Sequence, residues 1–235
     1  MTGVILAAGK GSRLGNHTSD TPKSLLKLND DQTLLDYNIA VLKKLGIEKI
    51  YIVTGFNSGK IEEHVKSDQI ECVFNPFWNS CNVLGSLYMV LPYINDDFLF
   101  LHADTLVGFE VWEKLFSHEG DIVMPFKRKI CGEEEMKVRL DNTGNLLEVN
   151  KTMDEKNADG EFLGIAKFSE SITPYIKEVS EQLFKTGRLD FYMEAAVEEA
   201  IKDKKGVKAF DIGEAKFIEV DFEEDYLLAQ KTFTN

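Results

Sequence analysis

Five residues near the start of the chain could do chemistry together. Gly9, Lys10, Gly11 and Arg13 lie in "GVILAAGKGSRLG", Gly3 to Gly15, and Lys23 follows in "TPK". An apolar run empties straight into a loop carrying two glycines and two cations. Glycines let the backbone approach a ligand closely and aim amide N–H groups at it. Lys10 and Arg13 add cationic donors, and an arginine can grip a phosphate through two parallel hydrogen bonds. Polyphosphate suits such a loop; a tight turn with solvated charges accounts for "GKG" equally well. Two standard nucleotide loops are excluded, because Leu14 stands where a third Rossmann glycine would fall and no G-x-x-x-x-G-K-[ST] occurs.

Carboxylates come next. Asp104 ends the apolar stretch "DFLFLHAD", and Asp221 closes the strand-like part of "FIEVDFEEDY". An aspartate at a strand tip can hold a metal ion, or simply cap the following helix. Asn82 and Ser86 in "NPFWNSCNVLGSL" are four apart, so on a helix they share a face and offer donors and acceptors to a base or ribose. Asn82 is equally well placed to be a helix N-cap. His102 reads as a core residue, and Cys81 has no histidine partner for nucleophilic catalysis.

These groups need a scaffold, and the chain predicts one. Apolar runs at Gly3–Ala7, Lys49–Thr54, Glu71–Phe74, Phe98–His102, Ile122–Phe126, Phe162–Phe168 and Lys216–Val220 read as strands. Helical patterns fall at Leu34–Leu45, Ile61–Val65, Leu84–Tyr93, Ile172–Phe184, Asp190–Lys202 and Glu223–Gln230, with a hairpin pairing Met136–Leu140 and Asn145–Val149. The alternation predicts an α/β fold: a doubly wound, mostly parallel, Rossmann-like sheet, with residues 127–160 as a small antiparallel lid inserted in a single domain, 1–235. In such a sheet ligands gather at the carboxyl ends of the strands, where the glycine loop and Asp104 both lie.

The 235 residues are 43% hydrophobic and 29% charged, with a net charge of −13. That acidity argues against nucleic acid, which calls for a basic stripe. Three scattered cysteines, Cys72, Cys81 and Cys131, suggest neither a zinc site nor a disulfide framework. An apolar strand directly after Met1 leaves no room for a leader, and no run approaches the roughly 20 apolar residues of a membrane span, so a cytoplasmic location is expected.

"ILAAGKGSRLG…TPK" resembles the signature L-A-A-G-x-G-x-R-L…P-K of the nucleotidyltransferases that activate sugar phosphates and related phosphate monoesters. The resemblance implies that Leu6, Ala7, Ala8, Gly9, Lys10 and Gly11 bind the nucleotide, with Asn82 and Ser86 beside it. It implies that Arg13 and Lys23 are catalytic, that Asp104 and Asp221 hold Mg²⁺, and that an acceptor oxyanion attacks the α-phosphorus to release pyrophosphate. The asparagine-rich stretch, "HAD" and "IEVDFEEDY" are more similar to the bacterial CTP:phosphocholine cytidylyltransferase branch than to the sugar-phosphate branch.

That branch holds a quaternary ammonium in an aromatic cage. Here Glu135 in "CGEEEMKVRL" stands in place of one cage tryptophan, while Tyr192 in "LDFYMEAA" matches another cage aromatic and Glu194 follows on the same predicted helix. A carboxylate suits an ammonium that can donate hydrogen bonds. Expected partners are therefore CTP and a small amine-bearing phosphate or phosphonate (phosphocholine, 2-aminoethylphosphonate or similar), with no membrane insertion and the chain acting as monomer or homodimer. Lys137 and Lys151 flank the hairpin within reach of an acceptor phosphate, but surface lysines are common and neither is counted as catalytic. Two other readings stand beside this one: a sugar-1-phosphate uridylyl- or thymidylyltransferase, and a non-catalytic nucleotide-binding regulatory module.

Overall fold

A computed structural model describes residues 1–233. Strand β1 (Thr2–Ala7) buries both faces, Val4 toward one layer of helices and Ile5 toward the other. Helix α1 (Leu34–Lys44) starts on a capping box, in which Thr33 and Asp36 satisfy each other's backbone N–H groups, and ends at Gly46 with φ of 79°. Strand β2 (Ile50–Thr54), helix α2 (Ser58–His64), strand β3 (Ile70–Phe74), helix α3 (Val83–Val90) and strand β4 (Phe98–His102) complete the parallel half in the order β3-β2-β1-β4.

The second half is more mixed. A short strand β5 (Thr105–Val107) leaves the sheet, helix α4 (Phe109–Ser117) covers it, and β6 (Ile122–Lys127) returns. Strands β7 (Lys137–Leu140) and β8 (Leu146–Asn150) form the expected hairpin around residues 141–145. The expected strand Phe162–Phe168 is broken in two, β9 (Gly160–Phe162) and β10 (Ile165–Phe168), because Gly164 takes φ of 71° against His102 and Thr105. Both pieces run antiparallel to β6, and β9 also pairs with β7, so the hairpin prolongs the central sheet. Helices α5 (Thr173–Phe184) and α6 (Met193–Lys202) follow, then β11 (Val207–Asp211), parallel to β6, and finally β12 (Phe217–Glu219) and α7 (Glu223–Thr232).

Helix α4 and strands β5 and β11 are not among the expected elements, although Val111, Trp112 and Leu115 of α4 recur at helical spacing on its buried face. α4 starts on Gly108 with no side-chain cap, β5 is three residues long, and β11 alternates apolar with polar residues, its lysine side exposed. Two cores sandwich the sheet. A third, small one packs Leu14, Leu26, Leu28 and Leu34 against Ile218, Val220 and Tyr226. This third core joins the C-terminal β12–α7 segment to the N-terminal loop, and Tyr226 adds a 2.7 Å hydrogen bond to the Lys27 carbonyl. Among the described residues no helix is long and apolar enough to cross a membrane.

Candidate active site

The glycine loop is tied down through its carbonyls. The Ala8 carbonyl accepts from the Phe56 amide at 2.9 Å, and the Gly11 carbonyl accepts from Leu14 N and from Thr18 Oγ1 at 2.7 Å. Among the described residues the amides of Gly9, Lys10 and Gly11 have no protein acceptor, which leaves consecutive N–H groups for an anion. They border a small cavity of about 160 Å³ lined by Leu6, Ala7, Gly9, Gly11, Lys23 and Asp104.

Lys23 closes that cavity. Its ammonium lies 2.6 Å from Asp104 and 2.7 Å from Asp221, and its side chain is 10% exposed. Burial opposes the charge, but the two carboxylates hold Lys23 well above the ordinary lysine range. Burial likewise opposes ionisation of Asp104, and Lys23 outweighs it, holding Asp104 below the ordinary aspartate value. Arg13 adds a 3.0 Å contact to the outer oxygen of Asp221 and lies across the Phe222 ring. Asp104 retains one buried oxygen with no partner, and His102, Asp104 and Glu219 offer ligand atoms within 4.8 Å of one another. The unpartnered Asp104 oxygen, with Asp221 across the shared Lys23 ammonium, is a carboxylate donor set that fits a divalent cation.

Beyond Asp221 opens a larger cavity of about 470 Å³, walled by His102, Lys129, Glu135, Lys151, Glu161, Tyr192, Glu194 and Glu219 among others. Glu135 accepts from Lys129 at 3.0 Å and from the Gly132 amide at 2.7 Å. Burial raises its pKa, and these two donors outweigh that, leaving Glu135 below the ordinary glutamate value. Lys129 also reaches Glu161 at 3.1 Å; there burial dominates and Glu161 is raised. Glu194 in the first turn of α6 is 3% exposed, with one carboxylate oxygen unpartnered. Burial raises its pKa despite the opposing pull of His102. The His102 imidazole is disfavoured as a cation by burial, but Glu219, 3.9 Å away, and the other nearby carboxylates carry it above its ordinary value.

A glycine loop with free amides, a buried lysine between two aspartates and a separate polar cavity thus share one end of the sheet. The family model of the MobA-like NTP transferase domain matches residues 3–180. The chain belongs to this family. Its similarity to the CTP:phosphoglutamine cytidylyltransferase of Campylobacter jejuni is 23% identity over 96% of this chain and 97% of that protein. The inositol-1-phosphate CTP transferase from T. maritima superposes with a TM-score of 0.78 at 22% identity, covering 98% of this chain and 95% of that one. A putative glucose-1-phosphate thymidylyltransferase from Bacillus anthracis gives 0.83 at 17% identity, covering 98% and 94%. The superpositions carry the fold.

In this nucleotidyltransferase most of the residues singled out from sequence converge. Leu6, Ala7, Gly9, Gly11, Lys23 and Asp104 share the small cavity, Asp221 borders the large one, and Glu135, Tyr192 and Glu194 line the large one. Lys10 is exposed beside the Phe56 ring, and Ala8 contributes its carbonyl to the loop's anchoring. Asn82 and Ser86 stand apart from both cavities. The Asn82 oxygen caps α3 by accepting from Val83 N, and Ser86 Oγ accepts from Asn75 at 3.0 Å.

The polar lining residues that sequence reasoning missed include Lys129, Glu161, Glu219 and Ser24, whose buried hydroxyl has no partner. Only Ser24, next to Lys23, had a signal in its position. Lys137 is a structural residue, 1% exposed, whose ammonium donates to the carbonyls of Glu133, Glu135 and Lys151. It fastens together two walls of the large cavity.

Proposed function

We propose that the protein is a Mg²⁺-dependent cytidylyltransferase that joins CTP to a small amine-bearing phosphate or phosphonate and releases pyrophosphate. The observation that carries this reading is the acidic, aromatic cavity holding Glu135, Glu161, Tyr192 and Glu194, which opens directly beside Asp221 and the Lys23 cluster. An ammonium-bearing acceptor finds carboxylates there while its phosphate stays near the cations.

The free amides of Gly9, Lys10 and Gly11 receive the β- and γ-phosphates, with Lys10 as an additional cation. The acceptor oxygen is the nucleophile. It attacks the α-phosphorus, the bond to the bridging oxygen breaks, and pyrophosphate leaves with that electron pair. Lys23 and Arg13 offset the charge that gathers as two anions meet. Asp104 and Asp221 would hold Mg²⁺, which supplies further neutralisation of the triphosphate when bound. No side chain forms a bond to phosphorus.

The assignment of CTP follows two relatives that cover nearly the whole chain, one similar in sequence and one in fold, both named as using CTP. A sugar 1-phosphate with UTP or dTTP is the second reading, favoured by the superposition on the thymidylyltransferase fold. A wall with so many carboxylates suits a neutral sugar less well than a cation. A non-catalytic module would not need Lys23, Asp104 and Asp221 in mutual contact.

The deciding measurement is pyrophosphate release by purified protein with Mg²⁺. CTP, UTP and dTTP are each tested against phosphocholine, 2-aminoethylphosphonate and glucose 1-phosphate. Turnover confined to CTP with an amine-bearing acceptor is expected, and loss of it in EDTA. Preference for glucose 1-phosphate with UTP or dTTP would transfer the protein to the second reading.

A further inference from the structure

The charged groups lining the acceptor cavity are nearly all committed to one another. Lys127 donates to the Gly213 carbonyl at 2.8 Å, and Lys129 bridges Glu135 and Glu161. Glu134 faces Arg13, Glu219 faces His102, and Asp225 accepts from the amides of Asp221 and Phe222. Two groups remain. The buried Glu194 carboxylate has an oxygen with no partner, although an unpaired buried acceptor is costly. The Lys151 ammonium pairs with no carboxylate among the described residues and rests 5.1 Å over the Tyr192 ring.

Both groups adjoin Tyr192 in the lining of the same cavity. Tyr192 is the N-cap of α6 and Glu194 is in that helix's first turn, while the Lys151 carbonyl is pinned by Lys137 at 2.8 Å. One unpaired acid and one unpaired base are thus presented to the same cavity from fixed backbone.

We propose that Glu194 and Lys151 read a zwitterionic head on the acceptor, Glu194 taking an ammonium and Lys151 a carboxylate. The acceptor is then an amino-acid-type phosphate or phosphonate. This rests on the acceptor reading of the same cavity given above. A quaternary ammonium has no N–H for Glu194, and a simple amino alcohol phosphate has nothing for Lys151. Charge-assisted bonds are the strong ones in such a site, so both should show in specificity.

Phosphoethanolamine and O-phospho-L-serine differ only by a carboxylate, and the test compares their kcat/KM with CTP and Mg²⁺. The wild-type enzyme is expected to favour O-phospho-L-serine by about tenfold or more, the size of one hydrogen bond to a charged group. Lys151→Met should collapse that ratio toward one, and Glu194→Gln should lower both acceptors while leaving CTP binding intact. A wild-type ratio near one overturns the proposal. So does a Lys151→Met enzyme that loses both acceptors equally, because Lys151 would then hold the phosphate they share. If neither acceptor turns over, the cytidylyltransferase reading is what has failed. Calorimetric binding of the two compounds without nucleotide then judges the zwitterion separately, and equal affinities would refute it.

Discussion

Lys23 and Asp221 meet across 198 positions of sequence, the ammonium donating to the carboxylate at 2.7 Å. The third core makes this contact, by packing β12 and α7 against the loop that carries Lys23. The ammonium therefore keeps two carboxylates together that would otherwise repel.

Lys23→Met should separate catalysis from metal binding. Turnover is expected to fall by at least about 10²-fold, the usual loss when one charge-stabilising group is removed. Asp104 and Asp221, freed of their internal cation, should bind Mg²⁺ more tightly than in the wild type. A larger Mg²⁺-induced rise in Tm for the variant than for the wild type is the expected readout. An equal or smaller rise would show that these carboxylates are not the metal ligands.

The two loop glycines should respond differently to alanine. At Gly9 a Cβ would meet nothing within 4 Å, so Gly9→Ala should leave Tm unchanged while raising the KM for CTP by about tenfold, because the methyl stands where phosphates are expected. At Gly11 the φ is +68° and a Cβ would lie 2.9 Å from the Lys23 Cβ. Left-handed backbone costs alanine about 1–2 kcal/mol, which lowers Tm by about 2–8 °C in a chain of this size. Thermal melts and CTP kinetics on the pair check both.

Glu194 should impose a pH-dependent stability cost. Burial raises its pKa in the folded state, so the folded protein binds this proton more tightly than the unfolded chain. Stability is therefore lost as pH rises from the ordinary glutamate value of about 4.3 up through the raised folded value. Glu194→Gln removes the titration. It should be more stable than wild type by about 1–2 kcal/mol at pH 7 and no more stable near pH 4. Urea unfolding at both pH values measures it.

Lys137 should matter to the acceptor wall rather than to chemistry. Lys137→Met deprives the carbonyls of Glu133, Glu135 and Lys151 of their shared donor, a loss of about 2–4 kcal/mol. Hydrogen exchange should speed up across residues 128–137, and the acceptor KM should rise with little change in the KM for CTP. Unchanged exchange there would show that the wall holds without this lysine.

Local features in the sequence made the first half legible. Continuous apolar runs identified β1, β2 and β4, and the glycine loop, Lys23 and Asp104 followed from where those strands end. The large cavity was only partly legible. Glu135, the carboxylate expected to meet an ammonium, already holds Lys129 and the Gly132 amide. Glu194, placed only on the same predicted helix as Tyr192, is the buried and unpartnered one. Helical spacing placed Asn82 and Ser86 on one face but could not show that Val83 and Asn75 already engage them.

By itself the sequence determined the strand-loop unit, the cationic loop and the residue types at the strand tips, because these depend on neighbours within a few positions. The tertiary structure alone decided which charges are spent on one another. Lys23 finds Asp221, Lys129 finds Glu161, Lys137 finds three carbonyls, and Glu194 and Lys151 are left over. Pairing depends on distance and burial, and both are set by how remote segments pack.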